Sequence, residues 1–286
     1  MTVMRLLALL FTLLALSLLA ACSMTTFAYN NAVPLLSWYI DDYVDLRDEQ
    51  RDFARKCLER LHVWHRASEL PEYRRVIDAA LRESQGPVSG EDVRRYYLLG
   101  RTFMTRAGEH ALADAADFLL QLDSRQIGML EARLAKENDK LERERIKLPL
   151  EVRQEKRLQR YVESFESWLG GLTAEQKEYV AEALSRMSLT DEVRLEERRR
   201  LQQEFIQTLQ SVPGRKDLID RLHVILIDPE PLRAPAYRAQ VERWQHDVPH
   251  MVAWVVNHAT PQQRAYLGRK LRSYSEDIVS LMQTVS

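Results

Sequence analysis

The sequence predicts an all-α protein: an irregular multi-helix bundle of about ten helices, with a long charged helical hairpin and no β-sheet. Three observations carry that expectation. From about residue 32 onward apolar residues recur at the three-and-four spacing of an amphipathic helix. Glycine supplies only 9 of 286 residues, too little turn material for many short strands. A short helix-start pattern also recurs along the chain.

The elements follow in order. Phe53, Cys57, Leu58, Leu61 and Trp64 form one apolar stripe, and Tyr73, Val76, Ile77, Ala80 and Leu81 form the next, entered through Pro71. Gln85 to Ser89 is a break. A long helix then carries Val93, Tyr96, Tyr97, Phe103, Met104 and Ala107 towards Leu122. The span Leu130–Arg160 is dense in charge, and Leu134, Leu141 and Leu148 leave only two heptads, too few for a coiled coil. It reads as an exposed hairpin turning near Pro149. That turn divides the single domain 32–286 into halves 32–148 and 150–286 without making two independent domains. Residues 150–169 end at Gly170-Gly171, a helix stop. Further helices carry Val180 and Leu184, then Leu201, Phe205 and Leu209. Leu218 to Ile227 fits a helix better than a strand. Asp228 to Pro235 contains three prolines and is the strongest loop. Two helices finish the chain, the first interrupted at Pro249.

The start pattern reads Leu122-Asp123-Ser124-Arg125-Gln126, Leu172-Thr173-Ala174-Glu175-Gln176 and Ala259-Thr260-Pro261-Gln262-Gln263, with Leu46 to Gln50 a degraded copy. It is a capping box: Asp or Thr accepts from the N–H three residues on, and the glutamine there reaches back to the cap. Arg47 cannot serve as such a cap, so Asp45 is expected to take its place. Leu-Thr-x-x-Gln also resembles a signature of small periplasmic helical chaperones and stress adaptors, over five residues at a time. The intervals between copies are too irregular for a solenoid.

The N-terminus reads as an address. One arginine precedes an apolar run from Leu6 to Ala21, shorter than the ~20 residues that span a bilayer, as in a secretory signal peptide over 1–21. Leu19-Ala20-Ala21-Cys22 resembles the bacterial lipobox, which implies lipidation of Cys22 with palmitate-type chains and a short lipidated tether over 22–31. Ser23, in place of the aspartate that favours inner-membrane retention, implies the outer membrane, at its periplasmic face. Two or more acyl chains give stable anchoring. With Cys22 lipidated, Cys57 is left as a buried structural thiol.

The lipobox followed by Tyr29-Asn30-Asn31 and Trp38-Tyr39-Ile40-Asp41-Asp42-Tyr43-Val44-Asp45-Leu46 resembles the helical bacterial lipoproteins grouped as domain-of-unknown-function family 6279. The resemblance implies an all-α fold and an envelope location, and brings no activity or catalytic residues with it.

Charge and motifs bound the function. With 41 basic and 42 acidic side chains, the chain lacks the basic excess of a nucleic-acid binder. Asp41, Asp42, Asp45 and Asp48 cluster beside Trp38 and Tyr43, a candidate site for a cation or a partner protein, set against caps and ion pairs to Arg47 and Arg51. His246 and His250 outline a zinc-protease pair, but Asp247 replaces the glutamate base and Pro249 lies between them. His62 and His65 flank Trp64 without a nucleophile nearby. Arg194 to Arg200 alternates with Glu196 and Glu197 as a solvated face. No cofactor or metal motif is present. The expectation is a non-enzymatic binding or scaffold protein of the cell envelope, held to the membrane by its lipid and engaging an envelope protein partner. The rivals are a chaperone-like helical protein and a metal-dependent hydrolase using His246 and His250.

Overall fold

The computed structural model describes residues 25–212 and 214–283. The signal peptide and Cys22 lie outside them. Among the described residues the chain is helices joined by short connections, with no strand. Residues 25–30 are already helical, so the expected tether over 22–31 is a helix from Thr25 onward. The reason is local packing: Tyr29 seats its ring 4.7 Å from that of His62, and its hydroxyl bonds His65 Nδ1 at 2.9 Å.

Eleven helices follow: α1 (Ala32–Val44), α2 (Asp48–Trp64), α3 (Leu70–Glu83), α4 (Gly90–Leu119), α5 (Ser124–Leu141), α6 (Leu150–Leu169), α7 (Ala174–Arg186), α8 (Asp191–Gln210), α9 (Arg215–Leu222), α10 (Pro235–Asn257) and α11 (Pro261–Gln283). Single π turns at His65–Glu69, Glu142–Ile146 and His223–Ile227 extend α2, α5 and α9.

The start boxes organise the architecture. Each lies at the junction of two consecutive helices: α1–α2, α4–α5, α6–α7 and α10–α11. They then meet in pairs. Gln50 and Gln126 exchange side-chain amide bonds of 3.1 and 2.8 Å, and Gln176 and Gln263 exchange bonds of 3.1 and 2.9 Å. Each glutamine oxygen also accepts from its own cap's N–H, in Arg47, Asp123, Thr173 and Thr260. Each amide nitrogen donates to a carbonyl of the opposite box region, in Gln121, Asp45, His258 and Gly171. The full donor and acceptor inventory of four buried amides is thereby used. This pairing explains why glutamine, and not only a capping residue, recurs.

The degraded copy departs from expectation. Asp45 does not cap α2; it is a left-handed residue at φ 49° closing α1. Arg47 stands at the cap position and sends its guanidinium across to the facing cap, 2.7 Å from Asp123 Oδ2. The lost acceptor is replaced by an ion pair between the two boxes.

Two cores result. Val44, Leu46, Ala54, Ala116, Ile127, Leu130, Ile206, Leu209, Leu218 and Leu222 fill one. Phe165, Leu169, Val180, Leu184, Val248, Met251, Val255 and Ala259 fill the other. The helices α3 and α4 of the first half pack lengthwise on α11 and α10 of the second. The charged span does turn near Pro149, but its arms part: α5 packs on α1 and α8, whereas α6 packs on α7 and α11. The expected exposed hairpin is thus the joint between the two core regions. Pro249 likewise does not interrupt its helix. It is buried inside a continuous α10, whose packing on α4 offsets the ~3 kcal/mol an interior proline costs.

Candidate ligand-binding cavity

A cavity of about 300 Å³ opens where α4, α8, α10 and the proline-rich loop meet, at the lower end of the size range of small-molecule sites. Its walls follow from local sequence. Tyr97 and Arg101 lie one turn apart on α4. Tyr237, Gln240, Val241 and Trp244 form one stripe of α10, which Pro235 starts at its first position. Thr190, Val193 and Arg194 bring the first turn of α8. Arg233 enters from the loop, where Pro229 and Pro231 permit only a single 3₁₀ turn.

The cavity is built rather than collapsed. Trp244 stands edge-on to Tyr97 at 5.2 Å and donates its indole N–H to the Tyr161 hydroxyl. Gln240 donates to the Leu189 carbonyl at 3.0 Å. Arg157, pressed below its ordinary pKa by burial, donates to the carbonyls of Leu184, Met187 and Ser188, and so fixes the chain that leads into α8. Arg233 pairs with Glu230 and lies 5.5 Å from the Tyr237 ring centroid. Arg101 and Arg194 have no carboxylate partner among the described residues. They bring two positive charges to this wall, beside Asp191 and Glu192 in the first turn of α8. Sequence reasoning missed the site because its arginines come from three separate segments. The one available signal was Arg101, a charge set between Tyr97 and Met104 on the apolar face of α4.

The cavity continues. A groove of about 410 Å³ shares Arg101 and Arg233 and runs beside Met104, Gly108, Ala111, Leu112 and Ala115 under Leu226 and Ile227. Gly108 lets Ile227 approach closely there, since a Cβ would stand 2.3 Å from Ile227 Cδ1 and push that side chain aside.

The sequence-predicted residues lie elsewhere. Asp41 and Asp48 both bond Arg51, Asp42 pairs with Arg133, and Asp45 with Arg125. Asp41 also accepts from the Leu46 N–H. Tyr43 donates to the Glu137 carboxylate, and burial first, then Glu137, pushes its pKa up. Trp38 points to solvent at 68% exposure. The four carboxylates therefore hold arginines that tie α1 to α2 and α5. His246 and His250 lie tilted against each other with ring centroids 4.6 Å apart, and His250 lies over Gly90. His258 instead stacks on Trp254. No group of three His, Cys, Asp or Glu side chains suited to a metal forms among the described residues. Cys57 is partly buried, and that burial raises its pKa.

One further surface stands out. Phe27, Leu35, Leu36, Trp38 and Tyr39 are all exposed on the N-terminal helical segment, and Phe27 reaches 61%.

The model of a family of unknown function, DUF6279, matches residues 42–238, more than half of the chain. The chain belongs to this family. The DUF6279 match includes Tyr97, Arg101, Thr190, Arg194, Arg233 and Tyr237 of the cavity and ends before Gln240 and Trp244. No curated protein and no solved structure matches.

Proposed function

We propose that this DUF6279 protein is a lipid-anchored, non-enzymatic binding protein of the cell envelope, held at the periplasmic face of the outer membrane. The observation that carries the reading is the exposed apolar stripe of Phe27, Leu35, Leu36, Trp38 and Tyr39, which begins five positions after the lipobox cysteine. A helix with exposed aromatic and aliphatic side chains beside an acyl anchor suits the headgroup boundary, where tryptophan and tyrosine favour the interface. No described helix is long and apolar enough to cross a membrane, so attachment in this reading falls to the lipid and the stripe. The paired start boxes face inward and bury their glutamines, which favours a binder over a chaperone whose box helices line an open apolar surface. The test is metabolic labelling with radioactive palmitate followed by envelope fractionation. Wild-type protein should carry label and sediment with the outer membrane, and Cys22→Ser should carry none. Unlabelled wild-type protein in the soluble fraction would refute the anchor and the location together.

A further inference from the structure

The cationic cavity and the apolar groove share Arg101 and Arg233, so a polar end and an apolar end form one continuous site along α4. The positions Tyr97, Arg101, Met104, Gly108, Leu112 and Ala115 repeat at three and four residues, which keeps them on one face. At 1.5 Å per residue, Arg101 to Ala115 extends about 21 Å. Its small side chains leave a narrow trough. Met104 and Leu226 at the rim are 77% and 56% exposed, apolar side chains that no described residue covers.

The charges specify the head. Two guanidinium groups lack carboxylate partners, and arginine forks match carboxylate geometry with paired bonds. Arg233 is already neutralised by Glu230, and Asp191 and Glu192 start α8 close by. The acidic neighbours disfavour a doubly charged head. The apolar lining of the trough favours a ligand with a hydrocarbon tail over a purely polar anion.

The geometry points to a binding site for a single-chain fatty acid, with its carboxylate between Arg101 and Arg194 and its acyl chain along α4 from Met104 to Ala115. This rests on the envelope-binding reading above and names the ligand class. Tyr97, Tyr237 and Trp244 flank the head, and the half-buried Arg101 meets it from α4. The apolar trough supplies the remaining affinity at roughly 0.8 kcal/mol per buried CH₂.

The test is photolabelling. Full-length lipidated protein in phosphatidylcholine nanodiscs is irradiated with a palmitate analogue that bears a diazirine near its methyl end, and labelled peptides are mapped by mass spectrometry. Label should fall on residues 104–115 and 226–227. Excess palmitate should displace it, whereas hexadecanol and inorganic phosphate should not. The double variant Arg101→Gln/Arg194→Gln, altering two side chains without ion-pair partners, should keep the wild-type melting temperature and lose at least about tenfold in labelling, the scale of a lost charge-assisted bond. Label confined to the Phe27–Tyr39 segment would overturn the fatty-acid site while leaving membrane docking intact. Groove label displaced equally by hexadecanol would overturn the recognition of the carboxylate. Absence of label from both regions would count against the site and the docking reading alike.

Discussion

Four glutamines do more for this fold than their polarity suggests. Gln50, Gln126, Gln176 and Gln263 are each nearly inaccessible, and each satisfies both its own helix start and a facing one. The consequences separate by residue. Thr173→Ala removes one acceptor and should cost about 1 kcal/mol, the usual value for an N-cap. Gln176→Leu strands the Thr173 N–H, the His258 carbonyl and half of the Gln263 amide, at roughly 1–3 kcal/mol for each unsatisfied buried group. Denaturant midpoints should therefore rank Gln176→Leu well below Thr173→Ala. Equal losses would mean that the pairing adds nothing to the caps. The caps themselves were legible in the sequence at Asp123, Thr173 and Thr260, because a capping box depends on neighbours only three residues apart. Which boxes meet was not, because Gln50 and Gln126 lie 76 positions apart and nothing local records their contact.

At the scale of elements, periodicity located the helices, and tertiary packing changed how they end and pair. Pro249 stays helical because both faces of α10 are used, and the charged arms part at Pro149 because each finds a different core. The cavity escaped for the same reason, since its walls converge from α4, α8, α10 and a loop. The first helical segment rests on titratable partners. Tyr29 bonds His65, whose other ring nitrogen bonds the Tyr73 hydroxyl at 3.1 Å. Burial lowers the pKa of His65 and of His62 and raises that of Tyr29 to about 12. Arg66, bonded to Asn30, and Glu69, bonded to Arg106, are the charged neighbours. A histidine with a depressed folded pKa binds its proton more readily when released. Its contribution to stability is present above about pH 6.5 and is lost as the pH falls below it. Hydrogen-exchange protection, corrected for the intrinsic rate at each pH, should fall in residues 25–35 between pH 7 and pH 5 more than in α4. His65→Gln should flatten that dependence. An unchanged profile in the variant would remove His65 from the account.

For the whole molecule, the two half-cores are interlocked by α3 on α11 and α4 on α10, which makes a single body from two glutamine-paired units. In the proposed function, that body lies against the membrane through its first helical segment, leaving the cavity to take its ligand from the same environment. The most direct measurement uses the five tryptophans as position markers. Full-length lipidated protein containing 5-fluorotryptophan is placed in nanodiscs doped with a gadolinium-chelating lipid, and its fluorine spectrum is recorded, with the Trp38 resonance assigned by Trp38→Phe. The account predicts selective broadening of Trp38, with Trp244 and Trp254 unaffected in their packed sites. A sharp Trp38 resonance, or equal broadening of all five, would contradict a body docked on the membrane through its N-terminal helix.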